Sequence, residues 1–314
     1  METIDCPICG SQQSTLVLAG PDLLHSSDQI FRMVQCVRCE HYYQNPRPTR
    51  AMIGTHYPAD YMPFQLAIED EPRWWTRFSR GYGRTRRCRA VHEAAGGKPG
   101  QLLDVGCATG IFLDGMRQLG WDVKGIEPSA HAAAYARDRF QLSVFEGGIE
   151  EAPYDDATFD VITLWDVLEH LHDPLAALDQ LRRWLRPGGL LVISIPNPDS
   201  LEARLFKSYW IGWDLPRHLN LFRPARLREI LARTRFDTLK IESFTSGYTV
   251  LLMCLEAILN ERGYNGARFR RFFSLWPFRL VSKLYYHGPA KWFNWSSIMV
   301  VFARRSIEDG SSRA

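Results

Sequence analysis

Residues 102–110 read Leu102-Leu103-Asp104-Val105-Gly106-Cys107-Ala108-Thr109-Gly110 and run on into Ile111-Phe112-Leu113. An apolar run ending in an acid, two closely spaced glycines and a fresh apolar pattern spell a strand, a tight turn and a helix start. Glycine at 106 and 110 lets the backbone bend sharply and leaves space where a Cβ would meet a ligand. In doubly wound sheets ligands bind outside the carboxyl ends of the strands, where this turn would sit. The stretch therefore predicts an α/β domain that holds a nucleotide-like cofactor.

Strand-like and helix-like runs alternate on the downstream side. The spacing predicts strands over 102–105, 122–127, 143–146, 159–165 and 190–195, and a last buried strand over 298–303. Helices are predicted over 111–119, 130–140 and 174–185. Such alternation means a parallel sheet with helices on both faces. A dinucleotide site would want Gly-x-Gly-x-x-Gly, and Gly106-Cys107-Ala108-Thr109-Gly110 is spaced differently. Glu127 closes the second strand 23 residues after Asp104, where a carboxylate can accept both ribose hydroxyls of an adenosine. Asp104, in front of the turn, suits a ligand whose amino-acid end carries an ammonium group. Together these residues point to S-adenosylmethionine.

Four stretches in order, 102–110, Gly125-Ile126-Glu127, 160–170 and Leu185-Arg186-Pro187-Gly188-Gly189, resemble the successive motifs of class I S-adenosylmethionine-dependent methyltransferases. The resemblance covers residues 98–196 and implies a Rossmann-like doubly wound sheet. It implies Asp104, Gly106 and Gly110 at the methionine end of the cofactor and Glu127 at the ribose. Gly148, Ile149 and Glu150 would flank the adenine. Cys107, Ala108, Pro128 and Trp165 complete the expected cofactor-binding set, and Ala108 stands where the family has a glycine.

Asp166, Glu169 and His170 follow the fourth strand, at the ligand end of the sheet; on a helical turn all three would face one way. His170 titrates near neutral pH and suits a general base. The segment resembles that of ubiquinone-pathway O-methyltransferases, whose matching acidic and histidine positions can hold a divalent cation. By that resemblance a cation such as Mg belongs here, with Asp166 in place of a family glutamate. A second candidate is Tyr209-Trp210-Ile211-Gly212-Trp213-Asp214-Leu215-Pro216-Arg217-His218-Leu219. Loops rich in such residues often line binding sites. Its Asp-x-Pro-Arg-His-Leu string resembles methyltransferases of polysaccharide and antibiotic-sugar pathways. Many of those also carry a cysteine-rich N-terminus followed by a string like Asn45-Pro46-Arg47-Pro48. His218 is the candidate to take a proton from an acceptor hydroxyl, Arg217 to hold a phosphate or carboxylate, and Trp210 and Trp213 to stack on a sugar ring.

Cys6, Cys9, Cys36 and Cys39 form two Cys-x-x-Cys pairs with 26 residues between them. Two such pairs can place four thiolates around one structural zinc ion. The domains expected are a zinc ribbon over 1–50, a helical connector over 51–97, the S-adenosylmethionine-binding core over 98–200, and an acceptor-binding lid with the final strands over 201–314. In the connector, arginines alternate with Trp74, Trp75, Phe78 and Tyr82. A helix that packs its aromatics on the core and solvates its arginines is the expectation, in preference to an anionic-substrate or nucleic-acid surface.

The chain has 314 residues, 46% hydrophobic and 23% charged, with a net charge of +3. That composition is ordinary for a globular protein, and the charge does not by itself imply nucleic acid. No apolar signal region opens the chain, and no apolar run is long enough to span a bilayer; the cytoplasm is the expected compartment. From Arg262 to Ile307 there is no acidic residue and there are nine lysines and arginines. The segment 268–293 mixes them with aromatics as interfacial membrane elements do, which would place the protein at the inner face of the membrane; a substrate lid with a solvated basic face is the alternative. The expected partner is a small-molecule or glycan hydroxyl acceptor, lipid-linked if the tail touches a membrane. An RNA methyltransferase with a zinc ribbon is the competing reading, and Leu164-Trp165-Asp166-Val167 disfavours it, because base-methylating enzymes often carry an Asn-Pro-Pro-aromatic string there. A non-catalytic binding protein on this fold is a third reading, opposed by the intact cofactor motifs. No oligomeric state is read from the sequence.

Overall fold

The computed structural model describes residues 1–23, 29–57, 67–243, 248–274, 278, 284–286, 288 and 295–307. In chain order these form β1 (Ser14–Gly20), β2 (Phe31–Cys36), β3 (Tyr42–Gln44), α1 (Arg50–Ile53), α2 (Trp74–Ala94), β4 (Gln101–Val105), α3 (Ile111–Gln118), β5 (Asp122–Glu127), α4 (Ala130–Phe140), β6 (Ser143–Glu146) and β7 (Phe159–Trp165). There follow α5 (Pro174–Trp184), β8 (Leu185–Pro196), α6 (Leu201–Phe206), β9 (Asn220–Leu221), α7 (Pro224–Arg233), β10 (Phe236–Glu242), α8 (Tyr248–Glu261), α9 (Gly266–Phe273) and β11 (Ile298–Arg305). Local chemistry fixes several starts. Ser129 Oγ accepts from Ala132 N–H at the head of α4, and Asp173 Oδ1 from Ala176 N–H at the head of α5, where Pro174 is the first helical residue. Both are N-caps that satisfy otherwise orphaned donors.

Seven strands pair in the order β10-β11-β8-β7-β4-β5-β6. The run from β8 through β7, β4 and β5 to β6 is parallel; β11 is antiparallel to both of its neighbours. The sheet is class I methyltransferase-like, doubly wound about β4. The chain leaves β4 toward β5 and β6, then returns to its other side for β7 and β8. The carboxyl ends of β4 and β7 therefore flank the switch point, where such sheets bind ligands. Both faces are covered, so the interior strands are mostly apolar, with Asp104, Thr163 and Ser194 as buried polar exceptions. Leu103, Val105, Ile162, Leu164, Leu191 and Ile193 pack on one side with α5 and α7. Leu102, Val161, Leu190, Val192 and Phe302 pack on the other with α3 and α4.

Two strands depart from expectation. Strand β8 starts at Leu185 rather than 190, so Arg186-Pro187-Gly188-Gly189 lies within it. Strand β10 was not foreseen. It is an edge strand, Phe-Asp-Thr-Leu-Lys-Ile-Glu, with only Phe236 fully buried, and so carries no apolar run.

The N-terminal strands form a second sheet in the order β1-β2-β3-β9. Its fourth strand comes from residues 220–221, so the sheet of the expected 1–50 ribbon is completed by a loop of the core. The connector helix α2 reverses the expectation for three of its aromatics. Trp74, Phe78 and Tyr82, at four-residue spacing, are 72%, 67% and 48% exposed. Its buried contacts are the small residues Cys88 and Val91. Several of its arginines are occupied: Arg80 pairs with Glu71 at 3.7 Å and Arg84 with Asp114 at 3.7 Å. Among the described residues no helix is long and apolar enough to cross a membrane. Of the basic segment 268–293, Arg268 to Phe273 lie on α9, and 275–277, 279–283, 287 and 289–293 fall outside the described residues.

Candidate functional site

Asp104, next to last in β4, is 2% exposed, and Thr163 on β7 donates its hydroxyl to Oδ1 at 2.6 Å. Burial pushes its pKa up to about 7, against the Thr163 hydrogen bond and the charge of Arg87, which pull it down. In the turn that follows, Gly106, Ala108 and Gly110 all have left-handed backbones, with φ of +69°, +47° and +78°. A Cβ on Gly106 would stand 2.5 Å from Val167 Cγ2, so only glycine leaves this cradle open. Glu127, at the end of β5, accepts the Ala108 N–H and the Ser129 N–H, each at 2.8 Å. It thereby ties the turn to the head of α4. Burial raises its pKa and those two N–H groups oppose the rise. A carboxylate has about four lone-pair sites, so two remain for ribose hydroxyls.

Other expected cofactor residues are placed less simply. The Cys107 thiol points away from the cleft, into the space beside Gly125 and Leu113, so only its backbone faces a ligand. Gly148 N–H is taken by Glu151 Oε2 at 3.1 Å, and Ile149 is a core residue. Glu150 is exposed and paired with Arg50 at 2.6 Å, and Pro128 is exposed. Trp165 packs edge-on against Phe112, its Nε1 buried without a protein partner. The guanidinium of Arg87 lies 5.3 Å from the Trp165 ring centroid, and its charge reaches Asp104 and Asp166. Sequence reasoning missed Arg87, because nothing marks it among the many arginines of α2.

Asp166, just past β7, also has a left-handed backbone, at φ +57°. Its N–H donates to Ser194 O at 2.8 Å and its Oδ1 accepts from the Ser194 hydroxyl at 2.9 Å. It is open to solvent yet hemmed in by protein, and desolvation raises its pKa. Residues 168–170 then form a 3-10 turn. Asp166 consequently does not share one helical face with Glu169 and His170. Those two meet His218 instead, with ligand-type atoms of all three within 4.8 Å of one another.

The hydrogen bonds fix both imidazole tautomers. His218 Nδ1 is 2.8 Å from Gly212 O, and His170 Nδ1 is 2.9 Å from Arg217 O. A carbonyl only accepts, so each Nδ1 carries the proton and each Nε2 keeps its lone pair. His218 Nε2 faces Asp214 Oδ2 at 3.7 Å and Glu169 Oε1 at 4.0 Å. Tyr57 Oη lies 3.0 Å from His170 Nδ1, and the His170 and His218 rings pack edge-on at 4.7 Å between centroids. Burial holds His170 down at about 3 and lowers His218 as well, so both rings are neutral at pH 7. Glu169 is wholly buried and neither carboxyl oxygen has a protein partner. Burial, with Asp166 and Asp214 nearby, pushes its pKa well up.

Two expectations for this loop are overturned. Arg217 has no donor left for a substrate anion. It is fully buried, with Asp22 on both terminal nitrogens at 2.7 and 2.8 Å and Asp214 on Nε and a terminal nitrogen at 3.1 and 2.6 Å. Trp210 offers no face to a sugar, because it is fully buried and donates Nε1–H to Ser297 Oγ at 3.0 Å. Trp213 is half-buried and donates to Lys207 O at 2.8 Å.

The four N-terminal cysteines come together, with Cys6 Sγ 3.5 Å from Cys39 Sγ and Cys9 Sγ 3.5 Å from Cys36 Sγ. None is in a disulfide. Both pairs sit in the same knuckle. Gly10 N–H donates to Cys6 O at 2.8 Å and Glu40 N–H to Cys36 O at 2.9 Å, and Gly10 and Glu40 are both left-handed. Burial works to raise Cys36, but the N–H groups of Cys39 and Arg38 bring its thiol down to about 7. Sulfurs around a tetrahedral ion at about 2.3 Å stand roughly 3.8 Å apart, close to the spacing found.

The chain matches the methyltransferase domain family over residues 79–241. It is 34% identical over 148 residues to a ubiquinone biosynthesis O-methyltransferase of Cereibacter sphaeroides, covering 44% of this chain and 60% of that protein. A Pseudomonas aeruginosa protein of the same name is 31% identical over 170 residues, covering 48% and 70%. The chain spans about three fifths of the length of the first of these curated relatives. A solved Galdieria sulphuraria structure named for a sarcosine dimethylglycine methyltransferase superposes with a TM-score of 0.50 at 14% identity. It covers 77% of this chain and 92% of its own, a likeness of fold alone.

Proposed function

The chain belongs to the methyltransferase domain family, and on that premise we propose that it transfers the methyl group of S-adenosylmethionine to a hydroxyl of a small-molecule or sugar acceptor, with His218 as the base. Bound S-adenosylmethionine supplies a methyl group already activated by a sulfonium, so the protein contributes mainly position and proton removal. Asp104 suits the ammonium and Arg87 the carboxylate of the methionine end, and Glu127 keeps lone pairs for the ribose. One observation carries the choice of base: Gly212 O holds the His218 proton on Nδ1, which leaves Nε2 as a lone pair inside the cluster beyond β7. The fit of the four cysteines supports a structural zinc ion in the N-terminal module.

A second reading has its own observation. The unpartnered oxygens of Glu169, with ligand-type atoms of His170 and His218 within 4.8 Å, suit a divalent cation held by these three residues rather than by Asp166. It would acidify the acceptor hydroxyl. The basic segment 268–293 fits an acceptor presented at the cytoplasmic face of a membrane, and vesicle flotation with and without that segment checks this.

The test is methyl transfer from labelled S-adenosylmethionine to extracts separated into RNA, lipid-linked glycan and nucleotide-sugar pools. Label is expected in a glycan or nucleotide-sugar pool and is lost in His218→Asn, which still binds the cofactor by calorimetry. Label in RNA alone refutes the proposal. Metal analysis of the purified protein separates the base from the cation: a second ion per chain, beyond the one expected at the four cysteines, favours the cation.

A further inference from the structure

Arg217 is buried between two carboxylates from distant parts of the chain. Asp22, in the N-terminal module, grips both terminal nitrogens side-on. Asp214 grips the opposite edge, and its second oxygen is the one that faces His218 Nε2. The loop is wound tightly around this ion triad: Arg217 N–H and His218 N–H both donate to Asp214 O, at 2.8 and 3.0 Å. The same module holds the residues on the far side of His218. Gln44 N–H donates to Leu219 O at 2.9 Å, β3 pairs with β9 at Tyr43 and Asn220, and His41 Nε2 lies 3.1 Å from Asn220 Oδ1.

We propose that Asp22 is a positioning residue of the acceptor site: through Arg217 and Asp214 the cysteine module sets the His218 imidazole, and the site is incomplete without it. The proposal rests on the reading of His218 given above, and it holds whether His218 takes a proton or binds a cation. Geometry explains why two carboxylates are used. Asp214 alone would neutralise the guanidinium charge, but it would leave one terminal nitrogen buried with only His56 O, at 3.3 Å, to accept from it. Asp22 fills that edge and fixes the guanidinium plane. A planar fork held on both edges cannot rotate, so Asp214 and the His218 seated against it are fixed with it.

The full chain is compared with Asp22→Asn, Asp22→Glu and, as a control, Glu40→Gln. Glu40 is exposed and forms other ion pairs between module and core, with Arg226 at 2.9 Å and Arg223 at 3.7 Å. Two probes report: the rate at which diethyl pyrocarbonate modifies His218, and amide exchange over 214–221, both by mass spectrometry. Removing one partner of a buried ion pair is strongly destabilising to what it holds, so Asp22→Asn is expected to raise both rates at least about tenfold. Asp22→Glu restores most of the protection, and Glu40→Gln leaves both rates as in the parent chain. Exchange over 101–105 and S-adenosylmethionine affinity stay unchanged in all three. Unchanged His218 reactivity in Asp22→Asn overturns the proposal. So does equal loosening of 101–105, which marks a general strut, or the same loosening in Glu40→Gln. A chain that fails to bind S-adenosylmethionine would sink the methyltransferase reading while leaving this footprint interpretable.

Discussion

The buried carboxyl group of Asp104 makes cofactor binding depend on pH in a way that can be worked out. Its pKa is raised from 3.8 to about 7 by burial. An acid raised on folding holds its proton longer in the native than in the unfolded chain. Between about pH 4 and 7 unfolding therefore releases a proton, and stability falls by about 1.4 kcal/mol per pH unit, levelling off above 7. Across the window the cofactor-free protein loses about 4 kcal/mol through this one group. Asp104→Asn has no such charge to bury and can still accept from Thr163. Free of cofactor, it should be more stable than the parent at about pH 7.5, by up to that amount. The cofactor reverses the balance, since its ammonium favours the ionised carboxylate and binding must expel the proton. Affinity should rise up to about tenfold per pH unit below 7 and then level, while in Asp104→Asn it stays weak and flat. Denaturant unfolding at several pH values gives the first quantity. Calorimetry in two buffers of different ionisation heat gives the second and counts the released proton. An affinity for S-adenosylmethionine independent of pH between about 5.5 and 7 would refute the assignment of Asp104 to the ammonium.

Gly106→Ala places a methyl 2.5 Å from Val167 Cγ2 on a backbone at φ +69°; clash and left-handed strain together should cost about 2–4 kcal/mol, measured by unfolding, and abolish cofactor binding. Trp210→Ala should behave as a core truncation, losing about 3–5 kcal/mol of stability; if it is as stable as the parent and only weakens acceptor binding, the buried placement is wrong. Metal analysis should find one zinc per chain at the four thiolates, and its removal by a mercurial with a chelator should lower the melting temperature and free four titratable thiols. Cys88, Cys107 and Cys254 are buried and should stay unreactive in the native protein.

The core was legible because its signals are local. Strands β5, β6 and β7 and helix α4 have the bounds that apolar runs and caps predict, and the glycines of the turn can be recognised without knowing their neighbours. Strand β10 was invisible because an edge strand needs only one apolar side, and β9 because two residues carry no pattern. The polar sites show the limit more clearly. Trp210 and Arg217 looked like a binding loop because tryptophan and arginine are costly to place anywhere. Whether such a residue faces a ligand or the core depends on partners far along the chain: Ser297 for Trp210, and Asp22 for Arg217. Asp166 was grouped with Glu169 and His170 by assuming an α-helical turn, and one left-handed residue separated them. The cysteine pairs were read from spacing alone, since each knuckle is complete within a few residues.

The pairing of β3 with β9 also sets a schedule for a nascent chain. Cys6 and Cys39 are 33 residues apart, so the four thiols can meet soon after they leave the ribosome. Asp22 must wait for Arg217, 195 residues later, and at roughly 5–20 residues per second that delay is about 10–40 s. Throughout it the open side of β3 has no strand to pair with, and unpaired edges invite wrong partners. The last piece of the module is thus delivered by the loop that carries His218, and the two are finished in the same step.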